Sequence, residues 1–146
     1  MENVVSIKNL NVSFDTTKAL DGVSIQLKPG RVIGFIGPSG AGKTTLIRTI
    51  VGRHQPDSGT VLVLGAPAGS VSLRSRLSYM TQENSVYPDL SVMQNLTYFA
   101  TMRGLNKSAS RSTIKQLLEL MDMSNQARQL VASLSGGQKQ RVSLAI

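Results

Sequence analysis

Arg31-Val32-Ile33-Gly34-Phe35-Ile36-Gly37 runs directly into Pro38-Ser39-Gly40-Ala41-Gly42-Lys43-Thr44, and then into Thr45-Leu46-Ile47-Arg48-Thr49-Ile50. The first piece is a short continuous apolar run, the pattern of a strand buried on both faces in a parallel sheet. The second is rich in glycine, and the third reads as a helix. Upstream, Val23, Ile25 and Leu27 alternate with Ser24 and Gln26, which predicts a half-buried strand. Lys28-Pro29-Gly30-Arg31 then predicts a turn, with proline presetting φ and glycine permitting the positive φ that follows. Downstream, Pro56-Asp57-Ser58-Gly59 closes the unit. Thr60-Val61-Leu62-Val63-Leu64 predicts another strand, ended by Gly65-Ala66-Pro67, and Leu77-Ser78-Tyr79-Met80 a further one. The order of strand, glycine loop and helix predicts an α/β core.

The loop from Gly37 to Thr44 has the form G-x-x-x-x-G-K-T, and each residue type has a chemical reason. A polyphosphate needs several backbone N–H groups aimed inward, so the chain must wrap tightly. Gly37, Gly40 and Gly42 allow the dihedrals and leave room for phosphate oxygens. Pro38, Ser39 and Ala41 complete the wrap, and the helix that follows points its positive end at the anion. Lys43 is the flexible point charge for the β- and γ-phosphates. The Thr44 hydroxyl suits Mg²⁺, a hard cation that prefers oxygen, and Thr45 is within reach of the α-phosphate. The dinucleotide pattern G-x-G-x-x-G fails, because Gly40-x-Gly42 is followed by Lys-Thr-Thr. Kinases, GTPases and many ATPases share this loop, so the loop alone stops at a P-loop NTPase.

After Gln82 the character becomes helical. Ser91 and Gln94 form a capping-box pattern ahead of Leu96, Phe99 and Ala100. Ile114, Leu117, Leu118 and Met121 fall on one helical face, a stripe that predicts core packing. No internal repeat or low-complexity tract interrupts the chain. Near its end, Leu134-Ser135-Gly136-Gly137-Gln138 precedes Lys139-Gln140-Arg141-Val142. Serine and two glycines before a polar helix predict a helix start with bare N–H groups, which suits a second anion. An ordinary capped helix explains Ser-Gly-Gly alone equally well.

The whole string Leu-Ser-Gly-Gly-Gln-Lys-Gln-Arg, 134–141, resembles the signature motif of ATP-binding-cassette (ABC) proteins. It follows a phosphate loop at about the family's separation, and the resemblance runs from Val4 to Ile146. Thr81-Gln82-Glu83 is similar to the family's glutamine loop, in place between the two. Phe14 matches the position where the family stacks an aromatic ring on adenine, although a lone aromatic near a strand is also an ordinary core residue. The resemblance implies a P-loop core of the ABC type, with an N-terminal antiparallel β subdomain and an inserted helical subdomain, incomplete at the C-terminus. Residues 1–82 then form the β subdomain and phosphate-loop core, 83–134 the helical subdomain, and 134–146 the signature and the start of its helix. It also implies ATP and Mg²⁺ as ligands, held by the loop from Gly37 to Thr45, with Thr44 and Gln82 toward the metal. A second nucleotide-binding domain docks head-to-tail, so that Ser135 and Gly137 reach the γ-phosphate across the dimer. Leu134, Gly136 and Gln138 complete that motif. Lys43 and Gln82 carry the catalytic assignments, with Gln82 coupling the site to a transmembrane permease.

The segment 82–92 most resembles the ATPase component of drug exporters, so the expectation is an export subunit at the cytoplasmic face of the cell membrane. The alternatives are a soluble ABC ATPase of the translation or DNA-repair type, and a small P-loop kinase or GTPase. The family places an Asp-Glu pair and a later histidine beyond the signature helix, and the chain ends at Ile146. The expectations are therefore no appreciable turnover and poor stability for the isolated chain. His54 precedes the signature and reads as a surface residue at a helix end. The net charge of +8 comes from sixteen scattered Lys and Arg against eight Asp and Glu. That scatter predicts a solvated mixed surface and no nucleic-acid partner. No cysteine is present, hence no disulfide framework. No leader peptide is expected from Met1-Glu2-Asn3-Val4, and no apolar stretch approaches the roughly 20 residues of a membrane span.

Overall fold

The computed structural model describes residues 3–81 and 85–146. They belong to two compact units, Met1–Tyr79 and Met80–Ile146.

The first unit is built on a four-stranded antiparallel sheet of order β2-β1-β3-β4. Its strands are β1 (Val5–Phe14), β2 (Thr17–Leu27), β3 (Ser58–Val63) and the two-residue β4 (Ala66–Pro67), with helix α1 (Lys43–Ile50) between β2 and β3. In β1 the buried residues are Val5 and Ile7, then Leu10 and Val12. Their phase changes from odd to even because the ladder to β2 shifts register between Ile7 and Leu10. Asn9 absorbs the extra residue with a φ of 45°, a conformation that asparagine tolerates better than most side chains. Its N–H donates to Ser24 Oγ at 2.9 Å. Without that bulge, the second half of β1 would turn its apolar side chains to solvent. Val61 and Val63 of β3, Leu20 of β2, Leu46 of α1 and Leu73 complete the core.

The expected strands at 31–37 and 77–80 do not form. Among the described residues, neither segment pairs in the sheet. A strand exists only when a neighbour satisfies its backbone N–H and C=O groups, and no described segment lies alongside either one as such a neighbour. Val32 and Ile36 are consequently almost fully exposed, while Phe35 is half-buried against the core. A cleft of about 350 Å³ opens between residues 34–36, β2 and α1.

The second unit contains α2 (Val92–Met102), α3 (Lys107–Leu120) and α4 (Gly136–Leu144), with short 3₁₀ turns between α3 and α4. Val92, Leu96 and Ala100 recur every four residues on α2 and meet Ile114 and Leu118 of α3 and Val142 of α4. Of the expected stripe, Ile114 and Leu118 are core and Met121, just past α3, packs half-buried against it, while Leu117 is half-buried outside the cluster. Asn106 caps α3, its Oδ1 accepting from the Ala109 N–H at 2.9 Å. No helix among the described residues is long and apolar enough to cross a membrane.

Candidate functional site

Helix α1 begins at Lys43, directly behind the glycine loop. Gly42 is its N-cap, with φ 80° and ψ 3°. A Cβ on Gly42 would stand 2.3 Å from the Ala19 carbonyl oxygen and 2.8 Å from Leu20 Cδ2. Both its dihedral and its contact with β2 therefore demand glycine. That contact seats the loop on the sheet and is invisible in the motif itself. Leu46, buried at 6% exposure, anchors the other side of the helix.

No side chain caps α1, and its first turn holds no acid. The unpaired N–H groups of that turn and the helix dipole face outward into the loop. Residues 37–41 are exposed. The Lys43 ammonium donates to the Gly37 carbonyl at 2.8 Å and the Pro38 carbonyl at 2.5 Å, so a cation is held across the loop. These groups fit a chelated anion: free backbone donors, one mobile positive charge and no competing carboxylate. Thr44 and Thr45 follow in the first turn, both half-buried. Among the described residues no cluster of acids or histidines forms a metal cage. The Thr44 hydroxyl suits Mg²⁺, which keeps several waters and takes further oxygens from phosphate.

Phe14 lies at the end of β1, paired with Thr17 across a tight turn at Asp15-Thr16. It is 48% exposed, so it is not a core residue. Ala19, which abuts Gly42, stands two residues farther along β2, about 7 Å at strand spacing. His54, expected as a surface residue at a helix end, is half-buried. Its ring lies 4.9 Å from the Phe14 ring, centroid to centroid, and its Nε2 is shielded from solvent with no hydrogen-bond partner among the described residues.

The signature residues occupy the start of α4. Leu134 is buried at 5%, while Ser135, Gly136 and Gly137 are exposed. Ser135 and Gln138 form a complete capping box. Ser135 Oγ accepts from the Gln138 N–H at 3.3 Å, and Gln138 Oε1 accepts from the Ser135 N–H at 2.9 Å. Among the described residues no group accepts from the N–H of Gly136 or Gly137. A Cβ on either glycine would meet nothing within 4 Å. The serine hydroxyl, already an acceptor, keeps its own proton free to donate. Gln82 lies outside the described residues.

The sequence did not single out Asn95. Its buried amide donates to the carbonyls of Tyr87, Leu90 and Ser91 and accepts from the Tyr87 N–H at 2.8 Å. This ties the 87–91 segment to α2. An asparagine inside an otherwise apolar helix face was the available signal.

Comparison with known proteins follows the same lines. The family model described as ABC transporter matches residues 20–146. A methionine import ATP-binding protein, MetN, of Rhizobium johnstonii is 39% identical over 99% of this chain and 41% of that protein. A Nod factor export ATP-binding protein of Burkholderia pseudomallei is 34% identical over 97% of this chain and 47% of that protein. The structure of cbiO1 from Clostridium perfringens, part of the ABC transporter complex cbiONQ, superposes with a TM-score of 0.87 at 27% identity. It covers 99% of this chain and 61% of that one. The chain thus spans less than half the length of these two curated relatives. With a phosphate-loop helix left open at its start, an exposed serine-glycine helix start downstream and relatives matched over nearly its whole length, this chain belongs to the ABC transporter family of ATP-binding proteins.

Proposed function

We propose that this chain binds Mg-ATP on the loop from Gly37 to Thr45 and serves as the nucleotide-binding part of a membrane transporter. The observation that carries the reading is the uncapped, acid-free start of α1 with the Lys43 ammonium held across its loop. Lys43 exchanges its two carbonyl partners for phosphate oxygens when the anion enters. Thr44 supplies a hydroxyl to the metal, and Mg²⁺ contributes neutralisation of phosphate charge. Phe14 stacks on the base. The exposed start of α4 serves a second copy in a head-to-tail dimer, with Ser135 and Gly137 reaching the γ-phosphate. Gln82 is assigned to the metal and to coupling. None of these residues is assigned the activation of water.

The relatives' names support a permease partner, and a cluster of exposed aromatics supports a docking face. Tyr87 and Tyr98 are 46% and 40% exposed, with rings 5.1 Å apart and Phe99 beside them. The hydrogen bond between the two hydroxyls holds the Tyr87 phenol above its ordinary pKa. Exposed aromatic clusters of this kind mark protein contacts.

The test of nucleotide binding is titration of the chain with Mg-ATP. Lys43→Ala should weaken binding about tenfold to a hundredfold, the worth of a charge-assisted phosphate contact. Unchanged affinity would overturn the assignment. For direction we assign export, from the resemblance of residues 82–92 to drug exporters. Import is the second reading, favoured by the methionine import relative. Energy-dependent efflux of an organic cation dye, lost in Lys43→Ala cells, supports export; energy-dependent uptake overturns it.

A further inference from the structure

We infer that His54 is a positioning residue for the nucleotide base, acting through Phe14; this rests on the proposed role of Phe14 as the base platform. Four observations meet at this point. Phe14 is half-exposed at a hairpin end, and one of its neighbours is the imidazole of His54, at 4.9 Å and tilted by 40°. The His54 Nε2 is shut off from solvent and has no hydrogen-bond partner among the described residues, so the ring is held where that nitrogen gains nothing. No bond of Nε2 keeps the ring there, and contact with the Phe14 ring is what the geometry offers.

The segment carrying His54 is also bound to the end of β1. Asp57 Oδ2 accepts from the Ser13 N–H at 2.7 Å. The Asp57 N–H donates to the Asn11 carbonyl at 2.9 Å. Asn11 Nδ2 in turn donates to Ser58 Oγ at 3.0 Å. At the other end, the Arg53 N–H returns to the Arg48 carbonyl at 2.8 Å, closing α1 around Gly52. Gly52 has a φ of 74°, and a Cβ there would stand 2.2 Å from Gly69. His54 is thus fixed between the phosphate-loop helix and the strand that ends in Phe14.

A free phenylalanine at a strand end samples several rotamers. A second ring packed against it removes that freedom before the base arrives, so less order is lost on binding. The imidazole also packs against the ring at 4.9 Å, within the separation at which aromatic pairs attract. The consequence is selective: His54 serves binding of the base and leaves binding of the phosphates alone.

The experiment measures the affinity of the full chain for Mg-ATP and for Mg-tripolyphosphate, which has the phosphates without a base. Phe14→Ala should weaken Mg-ATP about tenfold and leave tripolyphosphate unchanged. His54→Ala should weaken Mg-ATP about threefold to fivefold, again without effect on tripolyphosphate. His54→Phe should restore most of the loss, since it keeps the flat partner. If His54→Ala yields no folded protein, His54→Gln against His54→Phe makes the same comparison. A loss in Phe14→Ala with none in the His54 variants overturns the inference and spares the base platform. No loss in Phe14→Ala overturns the platform and the inference with it. Equal weakening of ATP and tripolyphosphate in the His54 variants also overturns it, because the segment would then act on the phosphate loop.

Discussion

Helices α2 and α4 start with the same four-residue device, Ser91 to Gln94 in one and Ser135 to Gln138 in the other. Both close a complete capping box. Their surroundings differ. At α2 the Val92 N–H donates to the Gln129 carbonyl at 3.0 Å and the Met93 N–H to the Ala127 carbonyl at 2.8 Å. With Ser91 taking the Gln94 N–H, the start of α2 is sealed by its own unit. At α4 the corresponding two N–H groups belong to Gly136 and Gly137 and find no acceptor among the described residues. Unpaired backbone donors are tolerable at an exposed helix end, where water serves them, and they remain available to an anion. One sequence device therefore ends as a structural joint in one place and as an open helix start in the other.

The comparison breaks most sharply at Asn95, the residue that holds the 87–91 segment on α2. Asn95→Ala should cost about 2–4 kcal/mol, because it leaves buried carbonyls and the Tyr87 N–H without partners. Thermal or denaturant unfolding measures this; a cost under about 0.5 kcal/mol would show that the joint at α2 is not built as described. Next comes Ser91→Ala, expected to cost about 1 kcal/mol as the loss of a helix cap, with no change in nucleotide-driven dimerisation. Ser135→Ala removes the same kind of cap, so its stability cost should be of similar size or smaller. It should differ in function, weakening Mg-ATP-driven dimerisation measured by light scattering or sedimentation. Equal dimerisation by the two serine variants would erase the distinction between the helix starts. Gly137→Ala carries the smallest effect and the most informative sign. Its Cβ meets nothing within 4 Å, so the helix should gain up to about 1 kcal/mol in propensity. Dimerisation should still fall, because the methyl occupies the face proposed for the phosphate.

Much of this was legible in the residues. The glycine loop, helix α1, strand β3, the capping box at Ser91, the helix start at Ser135 and most of the apolar face of α3 follow from patterns within one or two turns of chain. The placement of the candidate residues was legible in the same degree: Lys43, Thr44 and Ser135 lie at the helix starts that the motifs predict. The apolar run Val32–Ile36 misled, because its composition describes a central strand while its existence depends on a neighbour to bond with. Val32 and Ile36 are instead exposed. His54 misled for a related reason: nothing within five residues of it predicts Phe14, forty positions away, as its contact. The bulge at Asn9 was equally silent, since it is defined by the strands on either side.

Local order in this chain was settled by side chains and glycines acting over three or four residues, since helix caps, turns and a glycine-rich loop close their hydrogen bonds at that range. What waited for the fold was the fate of each local element: whether the start of α4 is open while that of α2 is sealed, whether an apolar run pairs, and which ring stands behind Phe14. Those outcomes depend on donors and acceptors brought together from distant parts of the chain, and no short stretch of sequence holds both partners.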